Sequence, residues 1–186
     1  MKLLGIVGSL RADSYNGMLL RAAAGQLPDG VELTVYEGLR DIPPYEEELD
    51  RAPQAAVDAL RAAVADADGI LFATPEYNGS IPGQLKNALD WVSRPLEHNP
   101  LRNKPVAVVS ASTGMFGAVW ASADLRKVLG LIGARVLDRD TPVGMVKTAF
   151  AEDGSLIGPE TVEAVRATVH DLVDMVRERE QLCAAA

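Results

Sequence analysis

The stretch Leu3-Leu4-Gly5-Ile6-Val7-Gly8-Ser9-Leu10-Arg11-Ala12-Asp13-Ser14-Tyr15-Asn16 changes character twice. Its first five residues are almost wholly apolar, the pattern of a strand buried on both faces. Gly8 to Asp13 then form a polar loop. Ser14 can cap a helix carrying Met18, Leu19, Ala22 and Ala23 on one side, with Pro28-Asp29-Gly30 ending it. A buried strand feeding a polar loop and a helix N-terminus is the opening unit of a parallel α/β sheet.

The same rhythm continues along the chain. Val31, Leu33 and Val35 alternate like a strand, and a polar, Pro-bearing stretch follows from Gly38 to about Asp50. Val57, Leu60 and Val64 form a helical stripe, and Gly69 to Ala73 is the next buried strand. Leu85, Leu89 and Val92 share a helix face that Pro95 stops. Pro105 to Val109 reads as a strand, and Leu125, Val128, Leu129 and Ile132 as the helix after it. Ala134 to Leu137 is a short further strand, and about Asp138 to Gly158 reads as an irregular connection. Val162, Val165, Val169, Leu172, Val173 and Val176 mark a long amphipathic closing helix. The expectation is one domain over residues 1–186: a three-layer α/β fold, five parallel strands with helices on both faces.

Composition narrows the function. The chain has 186 residues, 48% of them hydrophobic, and 18 basic against 26 acidic side chains give a net charge of −8. An acidic chain without a basic run is not built to hold a nucleic-acid backbone. No apolar run approaches the ~20 residues of a spanning helix, and nothing at Met1 to Val7 reads as a signal peptide, so a cytoplasmic protein without membrane contact is expected. The single cysteine, Cys183, and the widely separated His98 and His170 offer neither a disulfide framework nor metal-ligand spacing.

Ligands of open parallel sheets bind beyond the carboxyl ends of the strands, where strand order reverses. Three loops occupy that position. In the first, Ser9, Arg11, Ser14 and Asn16 gather two hydroxyls, a guanidinium and an amide at a helix N-terminus, which suits a phosphate. The alternative is that the serines only cap the turn and helix while Arg11 is solvated. Neither a G-x-x-x-x-G-K-[ST] loop nor the three-glycine dinucleotide fingerprint is present. The second loop, Thr74-Pro75-Glu76-Tyr77-Asn78-Gly79-Ser80-Ile81-Pro82-Gly83, fixes backbone direction and permits close approach of a flat ligand, with Tyr77 against its rings. It reads equally as an ordinary strand-to-helix turn capped by Ser80. The third, Ser110 to Gly117, supplies small hydroxyl residues and glycines for a backbone-lined wall. Glu76, the one carboxylate in the second loop, reads as solvated or backbone-directed rather than as a general acid. No G-x-S-x-G elbow occurs, which argues against a hydrolase. A phosphate-plus-flat-ring site without acid–base or nucleophilic groups points to a cofactor that carries the chemistry.

At these loops the sequence resembles the NADPH-dependent FMN reductase family, the flavodoxin-like group that includes bacterial quinone, azo-dye and chromate reductases. The resemblance runs through G-S-L-R-A-D-S-Y-N at 8–16 and P-E-Y-N-G-S-I-P-G-Q-L-K-N-A-L-D-W at 75–91, and element order fits from Lys2 to about Glu178. It implies a flavodoxin-like fold with strand order 2-1-3-4-5 and non-covalent FMN at the carboxyl edge. Carried over, Ser9, Arg11, Ser14, Tyr15 and Asn16 would hold the FMN phosphate. Pro75, Glu76, Tyr77, Asn78 and Gly79 would lie along the isoalloxazine ring, mainly through backbone atoms, and Ser112, Thr113 and Gly114 would complete the wall. Gly79 would leave the acceptor side open. Gly117-Ala118 stands where relatives often have paired glycines. NADPH or NADH would be the donor and a quinone or similar small molecule the acceptor, in ping-pong order. The resemblance also implies a homodimer or homotetramer, with Leu85 to Trp91 and the polar loops as candidate contact surface. A flavodoxin-type electron carrier uses the same fold, and −8 suits docking on basic partners; such carriers have a Thr/Ser-Gly-rich phosphate loop instead of Ser-Leu-Arg-x-x-Ser-x-Asn.

Overall fold

In the computed structural model, which describes residues 1–184, strands and helices alternate as the apolar runs require. Strand β1 spans Lys2–Val7, β2 Glu32–Tyr36, β3 Gly69–Thr74 and β4 Pro105–Ala111, with two short edge strands, β5 at Arg135–Val136 and β6 at Pro142–Val143. Helices α1 (Tyr15–Ala24), α2 (Ala55–Asp66), α3 (Gly83–Val92), α4 (Val119–Leu131) and α5 (Pro159–Ala184) connect and close the sheet. The pairings between these strands are parallel, in the order β2-β1-β3-β4-β5, with β6 also on β4. This is the flavodoxin-like order expected. The chain reverses direction across the sheet between β1 and β3.

Alternation along the central strands divides the core. Leu4, Ile6, Ile70, Phe72, Val106 and Val108 meet α2, α3 and α4 through Val57, Leu60, Val64, Leu85, Leu89, Leu125 and Leu129. Leu3, Leu71, Ala73, Ala107 and Val109 face the other way, onto Leu19, Leu20 and Ala23 of α1 and Val165, Val169, Leu172 and Val176 of α5. Each fully buried aliphatic side chain contributes about 1.5–3 kcal/mol. Among the described residues no helix is long and apolar enough to cross a membrane.

Three expectations need correction. The first helix ends at Gly25, whose N–H closes on Arg21 O, not at Pro28-Asp29-Gly30. The irregular connection contains β6: between Val136 and Pro142 the edge takes six steps against four from Val106 to Ser110, so the strand splits in two. Arg126 of α4 donates to both Asp138 and Asp140 across that gap. Finally, Leu85, Ala88, Leu89 and Trp91 are buried in this chain's own core, so on α3 only the polar side reaches the surface. That side is engaged in turn. Gln84 donates to Leu39 O and Ile42 O, and Asn87 and Trp91 both donate to Pro43 O, which fastens the Pro-bearing stretch after β2 to α3.

Candidate flavin site

The ends of β1, β3 and β4 open into one cleft. It is lined by Ser9, Arg11, Ser14, Tyr15 and Asn16 from the first loop, Pro75, Glu76 and Tyr77 from the second, and Ala111, Ser112 and Thr113 from the third. Each of these loops follows a buried strand, so its position is set by the sheet register. Gly8 N donates to Ala73 O at 2.8 Å, which keeps the first two loops side by side where they leave the sheet.

On the first wall Ser14 is the N-cap of α1, extended at φ −76° and ψ 125°, and its Oγ accepts from Gly17 N at 3.4 Å. The intrahelical ladder starts with Met18 N on Ser14 O, so the N–H groups of Tyr15 and Asn16 have no acceptor within the helix. Ser9 Oγ accepts from Arg11 N at 3.4 Å, and Arg40 donates to Leu10 O, which ties the loop to the turn after β2. Arg11 is exposed on the rim. The Asn16 side chain is occupied elsewhere: its Nδ2 donates to Ala111 O and its Oδ1 accepts from Ala111 N, both at 3.0 Å. It bridges the first wall to the third, and only its backbone N–H remains for a ligand.

The second wall is a tight hairpin. Tyr77 and Ser80 exchange N–H···O bonds of 3.0 and 3.2 Å across Asn78 and Gly79, which have φ of 53° and 77°. Two successive left-handed residues make a type I′ turn, the one for which Asn-Gly is the preferred pair. Gly79 therefore serves backbone conformation, with open space where a side chain would project. The Asn-Gly pair was the signal for this hairpin, and reading the loop as a strand-to-helix turn missed it. Asn78 and Gly79 stand at the exposed tip, outside the cleft lining.

Glu76 is directed to backbone: its Oε2 accepts from Ala121 N at 3.3 Å. Helix α4 has no side-chain cap of its own, because Ala118 holds the N-cap position. A carboxylate there satisfies one orphan donor and complements the helix dipole. Ser80 Oγ donates to Asp124 Oδ2 of the same helix at 2.8 Å.

The third wall rests on the segment that sequence reading left irregular. Ser112 N donates to Val143 O, Val146 N to Ser112 O and Met145 N to Gly114 O, at 2.9–3.1 Å. Ser112 and Thr113 reach the cleft, whereas Gly114 turns its carbonyl to Met145 and lies outside the lining. A Cβ on Gly144 would lie 2.1 Å from Met115 O, so the two segments meet backbone to backbone. Gly117 and Ala118 are both left-handed, at φ 60° and 66°. Ala111 falls within the third loop as read from sequence, but residues 142–146 were missed as its support, since a two-residue strand leaves no periodic signal. Among the described residues no cluster of His, Cys, Asp or Glu could hold a metal.

A cleft with hydrogen-bond donors and one guanidinium at one end, and backbone-lined walls at the other, lies at the β1–β3 reversal. The profile of the NADPH-dependent FMN reductase family matches residues 1–148. The chain belongs to this family. An NAD(P)H-dependent FMN reductase of Pseudomonas aeruginosa is 37% identical over 179 residues, covering 95% of this chain and 96% of that protein. A quinone reductase of Escherichia coli K12 is 36% identical over 148 residues, 78% of each. The structure of FerB, a flavoenzyme NAD(P)H:(acceptor) oxidoreductase from Paracoccus denitrificans, matches with a TM-score of 0.84 at 32% identity, over 95% of this chain and 97% of that one. As a member of the FMN reductase family the chain is an oxidoreductase that uses flavin and NAD(P)H. Its first wall fits the flavin's phosphate in donor chemistry, with Arg11, two hydroxyl side chains and the free N–H groups of Tyr15 and Asn16 at one helix end.

Proposed function

We propose that this chain is an NAD(P)H-dependent reductase of quinones or similar acceptors (azo dyes, chromate, free flavin), with non-covalent FMN and ping-pong order. When bound, FMN would supply hydride acceptance from the nicotinamide and two-electron release to the acceptor. The chain's part is placement. Arg11, Ser9, Ser14 and the N–H groups of Tyr15 and Asn16 hold the phosphate. Pro75, Glu76 and Tyr77 run beside the ring through backbone atoms, with Asn78 and Gly79 turning the hairpin at its exposed tip, and Ser112 and Thr113 close the opposite wall, which Gly114 ties to Met145. The observation that carries this reading is that the one carboxylate in the cleft, Glu76, is committed to the N-terminus of α4. The walls thus hold no free acid–base pair, and the chemistry falls to the cofactor. One small open cleft serves donor and acceptor in turn, which is why the order is ping-pong.

The quinone acceptor is supported by the E. coli relative's name, and NADPH as donor by the family's. A cytoplasmic homodimer or homotetramer fits this reading. Met115, Phe116, Trp120 and Met145 are exposed, and Phe116 and Trp120 stack edge to face at 5.2 Å, so an apolar surface lies next to the third wall for a second copy to cover.

The decisive experiment is anaerobic spectroscopy of the purified, FMN-loaded protein. Bleaching of the flavin band by NADPH and its recovery with a quinone is the expected result. A yellow protein inert to NADPH would instead mark an electron carrier, and no flavin uptake sinks both. Arg11→Ala should weaken FMN about tenfold, the scale of one charge-assisted contact, and leave riboflavin, which lacks the phosphate, unchanged. Equal loss for both flavins would remove Arg11 from the phosphate.

A further inference from the structure

The hairpin Tyr77–Ser80 bonds through its backbone only to itself. Two side-chain bonds anchor it and the residue before it, and both end on α4. Ser80 Oγ donates to Asp124 Oδ2 at 2.8 Å, and Ala121 N donates to Glu76 Oε2 at 3.3 Å. Ala121 and Asp124 are three residues apart, so they share one helix face. That helix starts directly after the third wall, through left-handed Gly117 and Ala118, and Ser110 Oγ fixes the start by donating to Gly117 O at 2.7 Å. Two walls of the cleft are therefore seated on one rigid element.

Asp124 has no cationic partner among the described residues, and its hydrogen bond there is the one to Ser80. Half-buried on the helix, the carboxylate has no role in an ion pair and one clear role toward the hairpin. We infer that Asp124 is a positioning residue: through Ser80 it sets where the Tyr77–Ser80 hairpin stands beside the flavin ring. This deepens the proposed function and rests on its assignment of that hairpin to the ring. The phosphate end is held by other elements, α1 and the first loop, and stays unaffected.

The test compares wild type, Asp124→Ala, Asp124→Asn, Ser80→Ala and the double Ser80→Ala/Asp124→Ala variant, as full chains. Affinities for FMN and riboflavin are measured by flavin fluorescence, and the rate of flavin bleaching by NADPH at saturating FMN by anaerobic stopped flow. Losing the anchor should weaken FMN and riboflavin by the same factor, about tenfold for loss of a hydrogen bond to a charged group. The visible flavin band should shift and the bleaching rate should fall. Asp124→Asn, which keeps an oxygen facing Ser80 Oγ, should recover most of this, and the double variant should be no worse than either single one. Ser80→Ala keeps the test open if Asp124→Ala fails to fold. Variants with a lower melting temperature but unchanged affinities for both flavins, unchanged spectrum and unchanged rate would overturn the inference, as would additive losses in the double variant. Wild type that binds neither flavin removes the proposed function itself, a different result from wild type that binds both while the variants match it.

Discussion

Ala118 occupies φ 66° and ψ 35°, is 2% exposed, and forms the N-cap of α4 without a side-chain hydrogen bond. An L-residue with a Cβ in the left-handed region costs about 1–2 kcal/mol relative to glycine, partly offset by glycine's larger unfolded-state entropy. Ala118→Gly should therefore raise stability by about 0.5–1 kcal/mol, read as a higher urea midpoint at unchanged slope; a lower midpoint contradicts it. At Gly117 the sign reverses. Its φ is 60°, and an added Cβ would lie 2.7 Å from Val143 N and 2.8 Å from Gly144 N, so Gly117 is required where Ala118 is only tolerated. The single remaining glycine of the expected pair is the one the backbone contact needs, and the third wall keeps its seat on β6.

Single side chains also join elements that sequence leaves independent. Asn16, on the first turn of α1, exchanges two hydrogen bonds with Ala111 at the end of β4, 95 residues away, in a buried position. The amide takes the place of a strand edge, satisfying the N–H and C=O that Ala111 would otherwise leave without a partner. Asn16→Ala orphans both, which should destabilise the protein by about 2–3 kcal/mol in chemical denaturation. Because the lost bridge joins first and third walls, FMN affinity should fall as well, and riboflavin affinity less. A variant as stable as wild type would show that water replaces the amide. The amphipathic helices were legible because a period repeats along them, as in Val57, Leu60 and Val64, and the central strands because each is an unbroken apolar run, as in Ile70 to Ala73. The polar loops after β1, β3 and β4 were legible from their composition at strand ends. What escaped was set by contacts between distant segments: β6 exists because Ser110 and Ala111 offer it an edge, and Glu76 finds α4 only after the chain has folded. Asn16 read as a phosphate donor for the same reason, since nothing near it in sequence shows that Ala111 claims its amide.

Over the whole molecule, net charge and local site have opposite signs. The chain carries −8, yet the cleft lining contains Arg11 and a single carboxylate that is committed to a helix N-terminus. An approaching phosphate monoester of charge about −1.5 to −2 is repelled by the protein at long range and attracted at contact. Salt separates the two, because the Debye length falls from about 30 Å at 0.01 M to about 10 Å at 0.1 M. Long-range repulsion is screened across that interval, while a contact between Arg11 and the phosphate is much shorter than either length. Association of FMN with the flavin-free protein should therefore become severalfold faster from 0.01 to 0.1 M salt, the reverse of what a lone arginine–phosphate contact gives. Riboflavin, uncharged, should show no such trend. Arg11→Ala should steepen the dependence for FMN, since repulsion then acts with less local attraction against it. Stopped-flow fluorescence quenching measures all three. An FMN association rate that falls steadily with salt would mean that the positive potential extends well beyond Arg11, and that the acidic surface lies far from the path the ligand takes.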